Sequence, residues 1–301
     1  MYALLSSYQS FSPRNKEKER KEKENYSDNV KKTISYSEFI SLPSRFDTPI
    51  LFRIGPYSLS DMPERLQQVL ENGESYHPHM QQVYLNDTTD CESFLKDYDP
   101  SLLDAYHTLI PGAYKTDLVR LCLLEKYGGV YADMSMTFLQ SLSFLQSYKD
   151  LVLVNDINFR YDQKGVAITN GFMMARSHHP VLTTMIRHIH SNIANRQYGD
   201  SSLDVTGPIA IRKAWEAFFG QSIVDKGTQG HMVIQKDGVD YNMFWMDFRQ
   251  VSPYNMIEYQ GKHMIQVKFD GYQDLMYGTR SQNYWKLWDE RRIYTTETFN
   301  R

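Results

Sequence analysis

The chain has 301 residues, of which 41% are hydrophobic. That content is enough for a sizeable buried core and excludes a wholly disordered protein. Its 33 lysines and arginines are offset by 36 aspartates and glutamates, which leaves a net charge of −3. A balance of this kind produces no global positive field and therefore argues against a nucleic-acid-binding protein.

Cysteine content and hydropathy narrow the class of protein further. The two cysteines, Cys91 and Cys122, do not lie in a metal-binding spacing and are too few for a disulfide framework, so we expect reduced thiols. The sequence contains no apolar run near the ~20 residues that cross a bilayer, and its first residues lack the basic-then-apolar order of a signal peptide. These features predict a soluble, cytoplasmic protein without a membrane span.

The chain opens with a charged segment and then alternates between strand and helix signals. Residues 1–36, with interleaved lysines and glutamates, predict a disordered tail, and residues 37–301 predict a single domain. Such alternation is typical of an α/β, Rossmann-like fold, here with a mixed, mostly parallel central sheet flanked by helices. Ligands of such sheets bind beyond the carboxyl ends of the strands. The predicted strands are 49–55, 82–85, 130–132, 151–154 and 171–175; the predicted helices start near residue 60 and span 114–127 and 181–193.

Three charged residues stand out in the segment 113–135. Asp117 and Arg120 are three residues apart on a mostly apolar helix, so they project from the same face. Two glycines end that helix, and the short strand after them ends at Asp133. Charged groups on a buried face are paired or serve a polar ligand. The spacing alone leaves two interpretations open, a structural ion pair or a binding site at one edge of the sheet.

The same segment resembles a known enzyme family. Asp-x-x-Arg, an apolar helix and Gly-Gly-Val-Tyr-x-Asp follow each other here as in the DXD-motif glycosyltransferases of glycosyltransferase family 32, which includes initiating α-1,6-mannosyltransferases. More distantly, the segment is similar to the glucosylating clostridial toxins. The resemblance covers about residues 48 to 295, and its further motifs lie in the family's order at 49–55, 77–87, 169–180, 206–208 and 283–288.

The resemblance implies a GT-A fold, a UDP- or GDP-sugar donor, a glycan or other hydroxyl acceptor, Mn²⁺ or Mg²⁺, and retention of the anomeric configuration. Carried over by position, Asp117 and Arg120 would hold donor-sugar hydroxyls. Asp133, the first carboxylate of the DXD motif, would contact the ribose and the sugar and help to place the metal. These three are the expected catalytic residues. The other donor-binding residues implied by the resemblance are Phe52, Arg53 and Gly55 in a nucleotide-base pocket, Tyr131 beside the donor, and Asn170.

One position departs from the family's motif. Ser135 replaces the second DXD carboxylate, and a neutral hydroxyl is a poorer ligand than a carboxylate for a hard divalent cation. Asn283 and His263 are candidates for further metal ligands, while Lys268 or Arg280 could neutralise the leaving diphosphate instead. Three outcomes stay open: a weaker metal site, a metal-independent transferase, or a homologue that has lost turnover.

The acceptor side offers fewer signals. Asp156 follows a predicted strand, and Gly207 lies in a Thr-Gly-Pro sequence, so both are candidates for contact with the acceptor. Trp285 and Trp288 lie at helical spacing, and we expect them to pack in the core rather than to stack on sugars.

Competing functions can be separated by motif. A nucleotidyltransferase would need a glycine-rich, basic loop after the first strand, and residues 55–57, Gly-Pro-Tyr, do not supply one. The sequence favours a hexose-transferring glycosyltransferase, and the alternative is an impaired homologue that binds a sugar nucleotide or glycan without turnover. Because no membrane anchor is evident, the chain looks more like bacterial or viral enzymes of polysaccharide biosynthesis than like Golgi enzymes.

Overall fold

The structure is a computed structural model that describes residues 33–43, 48–147, 150–156, 167–223, 229–272, 275 and 283–296. Most of the predicted tail, residues 1–32, and Arg280 lie outside the described residues. Among the first described residues, Ile34–Ser35 pair in parallel with the strand at Gln81–Asn86. Regular pairing therefore begins before the predicted boundary at residue 37.

Eleven strands and eight helices are described. The strands are β1 (Ile34–Ser35), β2 (Ile50–Gly55), β3 (Gln81–Asn86), β4 (Gly129–Ala132), β5 (Met136–Phe138), β6 (Leu151–Asp156), β7 (Ala167–Ala175), β8 (Gly230–Lys236), β9 (Val239–Val251), β10 (Tyr254–Tyr259) and β11 (Lys262–Val267). The helices are α1 (Tyr36–Ser41), α2 (Glu64–Tyr76), α3 (Thr89–Tyr98), α4 (Pro100–Thr108), α5 (Gly112–Tyr127), α6 (Pro180–Ala194), α7 (Pro208–Phe219) and α8 (Tyr284–Asp289).

All eleven strands join one sheet, in the order β1-β3-β2-β4-β7-β6-β9-β10-β11-β5, with β8 paired to β9. The predicted α/β class, with a mixed sheet flanked by helices, is confirmed. The predicted predominance of parallel pairs is corrected, because four pairs are parallel and six are antiparallel. Short turns join β8 through β11, and strands joined by such turns can pair only in antiparallel fashion.

The sequence predicted none of the strands β8 to β11. After Gly230, exposed residues alternate with half-buried ones along β8, so this strand lacks the continuous apolar run that identified the earlier ones. Strand β9 does contain such a buried run, at residues 243–246, and the sequence analysis did not assign it to a strand. A signal was present in Asp237-Gly238, where both residues have positive φ, 51° and 77°. This dipeptide is the preferred two-residue turn of a β-hairpin.

Two glycines at the junction between α5 and β4 determine how residues 113–135, which carry Asp117, Arg120 and Asp133, are arranged. Helix α5 is buried on nearly all sides and ends at Gly128, whose φ is +69°. At Gly129, with φ +96°, a Cβ atom would lie 2.6 Å from the carbonyl oxygen of Ile50. Only glycine allows β4 to approach β2 this closely. The chain then runs through β4 and reaches Asp133 at the carboxyl end of that strand.

Apolar layers cover both faces of the sheet. On one face, side chains of β2 such as Phe52 and Ile54 pack with α5, α6 and α7. On the other, Leu51 packs with Phe138 of β5, and Asn72 of α2 bonds to the backbone of Phe138.

Strand β4 is parallel to β2, and β6 runs in the same direction because both β4 and β6 are antiparallel to β7. The carboxyl ends of β2, β4 and β6 therefore meet at one edge.

None of the helices within the described ranges is long and apolar enough to cross a membrane.

Candidate functional site

A cavity of about 350 Å³ opens at the edge where β2, β4 and β6 end. Its position agrees with the expectation that ligands of such sheets bind beyond the carboxyl ends of the strands. Most of the site residues predicted from the sequence line this one cavity. Those that do are Gly55, Asp117, Arg120, Asp133, Ser135, Asp156, Asn170, Gly207 and Lys268.

Arg120 lies between the two predicted carboxylates. Its Nη2 atom is 3.2 Å from Oδ1 of Asp117 and 3.2 Å from Oδ1 of Asp133. The same guanidinium donates from Nη1 to the carbonyl oxygen of Asn170 at 2.7 Å and lies over the ring of Tyr131. Burial lowers the pKa of Arg120, but the attraction of Asp133, Tyr131 and Asp117 outweighs it and holds the pKa above its ordinary value. The arginine is therefore a fixed cation that joins both carboxylates.

Two residues far away in sequence complete the surroundings of Asp117. Asn170 donates from Nδ2 to Oδ1 at 2.9 Å, and the Thr206 hydroxyl donates to Oδ2 at 2.8 Å. Burial raises the pKa of Asp117 from 3.8 to about 6, against the opposing effects of Arg120 and of these two hydrogen bonds. The carboxylate is thus held rigidly at the cavity wall. The sequence pointed to Thr206 only through its Thr-Gly-Pro motif.

The raised pKa of Asp117 predicts a specific pH dependence of stability. Because the pKa is higher in the folded than in the unfolded chain, this group stabilises the fold most below pH 4 and loses that contribution as the pH rises to about 6. Urea unfolding of the wild type and of Asp117→Asn gives the difference between their free energies of unfolding. This difference, wild type minus variant, should fall as the pH rises from about 4 to about 6 and should stay constant above pH 6. A difference that rises across the interval would contradict the assignment.

Asp133 is oriented by its neighbours on β4 and β7. The Tyr131 hydroxyl donates to Oδ1 at 2.8 Å, and the Asp133 main-chain N–H donates to the carbonyl oxygen of Gly171 at 2.8 Å. A Cβ atom on Gly171 would lie 2.7 Å from Oδ2 of Asp133, so glycine is needed for the carboxylate to lie here. The contacts with Tyr131 and Arg120 engage Oδ1, and Oδ2 is the oxygen nearest to Gly171.

Three predicted donor-binding residues lie beneath the cavity rather than on its surface. Phe52, Arg53 and Tyr131 are fully buried and do not line it. Phe52 and Arg53 lie within β2, whereas Gly55 is its last residue at the edge of the sheet. Of the predicted β2 residues, only Gly55 therefore lines the cavity. Tyr131 contacts the site through Arg120 and Asp133 and is covered by them.

Arg53 supports the backbone of the DXD-like turn. Its Nη1 atom donates to the carbonyl oxygens of Asp133, at 2.8 Å, and Met136, at 3.2 Å, on either side of Ser135. Its Nε atom donates to Gln82. Burial lowers the pKa of Arg53 to about 10, still well above neutral pH. Arg53 is thus a positioning residue for the turn that carries Asp133.

Asp133 and Ser135 are the cavity residues that would hold a divalent cation. Mg²⁺ in such sites commonly binds one or two carboxylates together with substrate phosphates, so one carboxylate and one hydroxyl fit such an ion only together with a donor diphosphate. Among the residues that the structure describes, no group of three or more His, Cys, Asp and Glu side chains could hold a metal ion. The side chain of Ser135 is buried, and its carbonyl oxygen accepts from the main-chain N–H of Lys268 at 2.8 Å.

The two further metal-ligand candidates are not brought to the cavity. His263 is exposed on β11, and Asn283 caps α8, where its Oδ1 accepts from the N–H groups of Trp285 and Lys286. Neither side chain lines the cavity. Residue type alone suggests His263, and a histidine that is frequent in the resembling family suggests position 283. Neither signal determines where these side chains lie.

The acceptor candidates do line the cavity. Asp156 ends β6 and is 4% exposed, and Gly207 precedes α7. The sheet order places the end of β2, then Asp133 after β4, then Asn170 in β7, then Asp156 along one edge. The predicted donor and acceptor residues are therefore ordered along the cavity from β2 to β6.

Known proteins resemble this chain in the segment that builds the cavity. Residues 63–158 match the model of a family described as "Glycosyltransferase sugar-binding region containing DXD motif". This range includes Asp117, Arg120, Asp133 and Ser135. The resemblance to DXD-motif glycosyltransferases predicted from the sequence is confirmed.

Two curated relatives come from Schizosaccharomyces pombe. Inositol phosphoceramide mannosyltransferase 2 is 24% identical over 165 residues, which are 54% of this chain and 45% of the relative. Inositol phosphoceramide mannosyltransferase 3 is 25% identical over 163 residues, which are 54% of this chain and 43% of the relative. The chain therefore matches less than half the length of either relative.

A solved structure described as "PaToxG Glycosyltransferase" aligns with a TM-score of 0.42 and 14% sequence identity, covering 68% of this chain and 78% of that chain.

Proposed function

We propose that this chain, whose residues 63–158 match the DXD-motif sugar-binding region of glycosyltransferases, transfers a sugar from a nucleotide-diphosphate donor to a hydroxyl acceptor. The observation that carries the proposal is Arg120, buried between Asp117 and Asp133 at a cavity on the carboxyl edge of the sheet. Fixed charged donors and acceptors at a cavity support this proposal, because such groups would bind several hydroxyls of one sugar.

In the proposed reaction, an acceptor hydroxyl oxygen bonds to the anomeric carbon of the donor sugar. The bond from that carbon to the diphosphate breaks, the electron pair stays on the diphosphate, and the hydroxyl proton passes to a phosphate oxygen or to water. Asp117 and Asp133 would accept from sugar hydroxyls, and Arg120 would keep both carboxylates in place. A divalent cation on Asp133 and Ser135, when bound, would neutralise the leaving diphosphate.

Lys268 is a second source of positive charge at this site. It lines the cavity, and its backbone is bonded to that of Ser135. A cation near the leaving group stabilises the charge that develops there as the bond breaks. We propose that Lys268 shares this role with a bound Mn²⁺ or Mg²⁺.

The proposal is tested with a panel of UDP- and GDP-sugars, each scored for hydrolysis and for a rise in Tm, with Mn²⁺ and with EDTA. A ligand that binds only the folded chain must stabilise it, so we expect at least one donor to raise the Tm and to be hydrolysed slowly. Mannose donors come first because both curated relatives are named mannosyltransferases. A panel without stabilisation or hydrolysis would overturn the proposal. Retention of configuration is checked on the anomer of the product.

The second candidate function is a homologue that binds a sugar nucleotide without turnover. The observation that favours it is Ser135, because one anionic metal ligand of the family's motif is absent. Donor-induced stabilisation without hydrolysis or transfer, in the presence of Mn²⁺, would select this candidate. A cytoplasmic location and a role in bacterial or viral polysaccharide biosynthesis stay predictions from the sequence.

The metal assignment predicts the effect of Ser135→Asp. A second carboxylate beside Asp133 should strengthen the binding of a hard cation, so we expect Mn²⁺ affinity in the presence of UDP or GDP to rise roughly tenfold or more. Calorimetric titration of Mn²⁺ measures this without relying on activity. The exposed Ser222→Asp, outside the cavity, is the control. Equal affinity in both variants would show that position 135 does not face the cation.

A further inference from the structure

One wall of the cavity is aromatic and carries no charge. It is formed by the chain leading into α7 and by the start of α8. Tyr284 packs against the small apolar cluster of Ala167, Leu203 and Ile209, and its ring lies 5.8 Å from that of Trp285. The cavity residues of this wall are Ser202, Leu203, Gly207, Pro208, Tyr284 and Trp285.

The aromatic wall lies on the β6 side of Asp133. Ala167, against which Tyr284 packs, is the residue of β7 that pairs with Asp156 at the end of β6. In the sheet order, β4 and Asp133 separate this position from the end of β2 and Gly55. The wall is therefore at the opposite end of the cavity from the β2 residues expected to meet the nucleotide.

Trp285 is more exposed than its neighbour Trp288, which is half-buried. Trp288 donates from its indole nitrogen to the carbonyl oxygen of Tyr198 and lies under Arg291, as expected of a packed residue. Trp285 is 39% exposed at the cavity. The other exposed large apolar side chains of the described chain, Ile40, Val233 and Val239, lie outside the cavity. The expectation that both tryptophans are core residues is thus corrected for Trp285.

Ser202 supplies a second, independent observation on the same wall. Ser202 is a lining residue of the cavity and is 1% exposed, and its buried hydroxyl has no hydrogen-bond partner among the described residues. The Ser202 carbonyl oxygen, in contrast, accepts from the hydroxyl of Tyr114, which fixes the backbone. Buried polar groups in folded proteins are nearly always satisfied. A hydroxyl of a bound ligand would complete this one.

We propose that this aromatic wall binds a pyranose ring of the acceptor, so that the acceptor is a carbohydrate. One face of a pyranose presents C–H groups that pack on an aromatic ring such as Trp285, while its edge presents hydroxyls that bond to a group such as Ser202. A peptide or simple alcohol acceptor would use neither feature in this way. The inference rests on the proposed transferase function, because it identifies the acceptor of that reaction.

The test compares sugar transfer with donor hydrolysis, using the donor that the panel identifies. The acceptor probes are the methyl glycosides of mannose, glucose and galactose, with a serine- and threonine-containing peptide alongside. For Trp285→Ala, the ratio of transfer to hydrolysis on the best methyl glycoside should fall at least about tenfold, through a higher acceptor KM. Trp285→Phe should recover part of the loss. Ile40→Ala, equally exposed but away from the cavity, is the control.

Ser202→Ala keeps the test decisive if Trp285→Ala fails to fold. Because the Ser202 hydroxyl has no partner within the described residues, its removal should not lower the Tm. The transfer-to-hydrolysis ratio should fall roughly five- to tenfold.

Each remaining outcome has one meaning. An unchanged ratio in both variants, or transfer to the peptide but to none of the glycosides, overturns the carbohydrate assignment while the transferase function stands. Loss of donor-induced stabilisation in Trp285→Ala would show that the wall binds the nucleotide donor instead. That result would also overturn the carbohydrate assignment. Absence of donor stabilisation and hydrolysis in the wild type would instead refute the proposed function itself.

Discussion

Replacing Asp133 with asparagine should reduce kcat/KM for donor hydrolysis about 100-fold or more, since loss of a single fixed electrostatic contact in an active site commonly costs this much. Asparagine has nearly the same shape as aspartate but removes the negative charge that Arg120 and any bound cation require. Donor-induced stabilisation should weaken in parallel. Both effects are measured on the donor that gives the largest rise in Tm.

The control for this prediction is Asp237→Asn. Asp237 lies in the exposed turn between β8 and β9, with 82% of its side chain exposed and with φ +51°, which asparagine also adopts readily. It should keep wild-type turnover and Tm. If Asp133→Asn retained both donor binding and turnover, the carboxylate at the end of β4 would not be the donor-site residue.

Replacing Arg120 with methionine should lower the free energy of unfolding by about 3–5 kcal/mol, because it leaves Asp117 and Asp133 without the cation between them. The same change should abolish detectable turnover. Urea unfolding measures the first effect, and the donor assay measures the second. Arg120→Lys keeps the charge but loses the forked contacts, so it should recover part of the stability and little of the turnover.

Arg176→Met is the matched control for Arg120. Arg176 pairs with Asp150 at 3.4 Å, and 46% of its side chain is exposed. Exposed ion pairs contribute little, so its loss should change the free energy of unfolding by less than about 1 kcal/mol. Equal effects of the two methionine substitutions would contradict the description of Arg120 as a buried bridge.

The central part of the site could be predicted because it is local in sequence. Asp117, Arg120, Asp133 and Ser135 belong to one helix–strand unit, and helical spacing together with the glycine stop determines their common direction. The motif carried by this unit also supported the resemblance that the family comparison confirms.

The partners that complete the site could not be predicted in the same way. Asn170 and Thr206 reach Asp117 from 53 and 89 residues away. Sequence patterns that span a few residues do not predict contacts between positions so far apart. Residue type alone suggested His263, and strand β11, which the sequence did not reveal, carries it to an exposed position.

By itself, the sequence determined the α/β class, the helix–strand unit around Asp133 and the resemblance to DXD-motif glycosyltransferases. These depend on periodicity, glycine positions and short-range spacing. Only the tertiary structure decided that Arg53 is buried and holds a turn, that Trp285 lines the cavity while the half-buried Trp288 packs against the core, and that the sheet continues through β11. Those outcomes depend on which face of each element is covered by segments distant in sequence, and burial of that kind is a property of the whole packed chain.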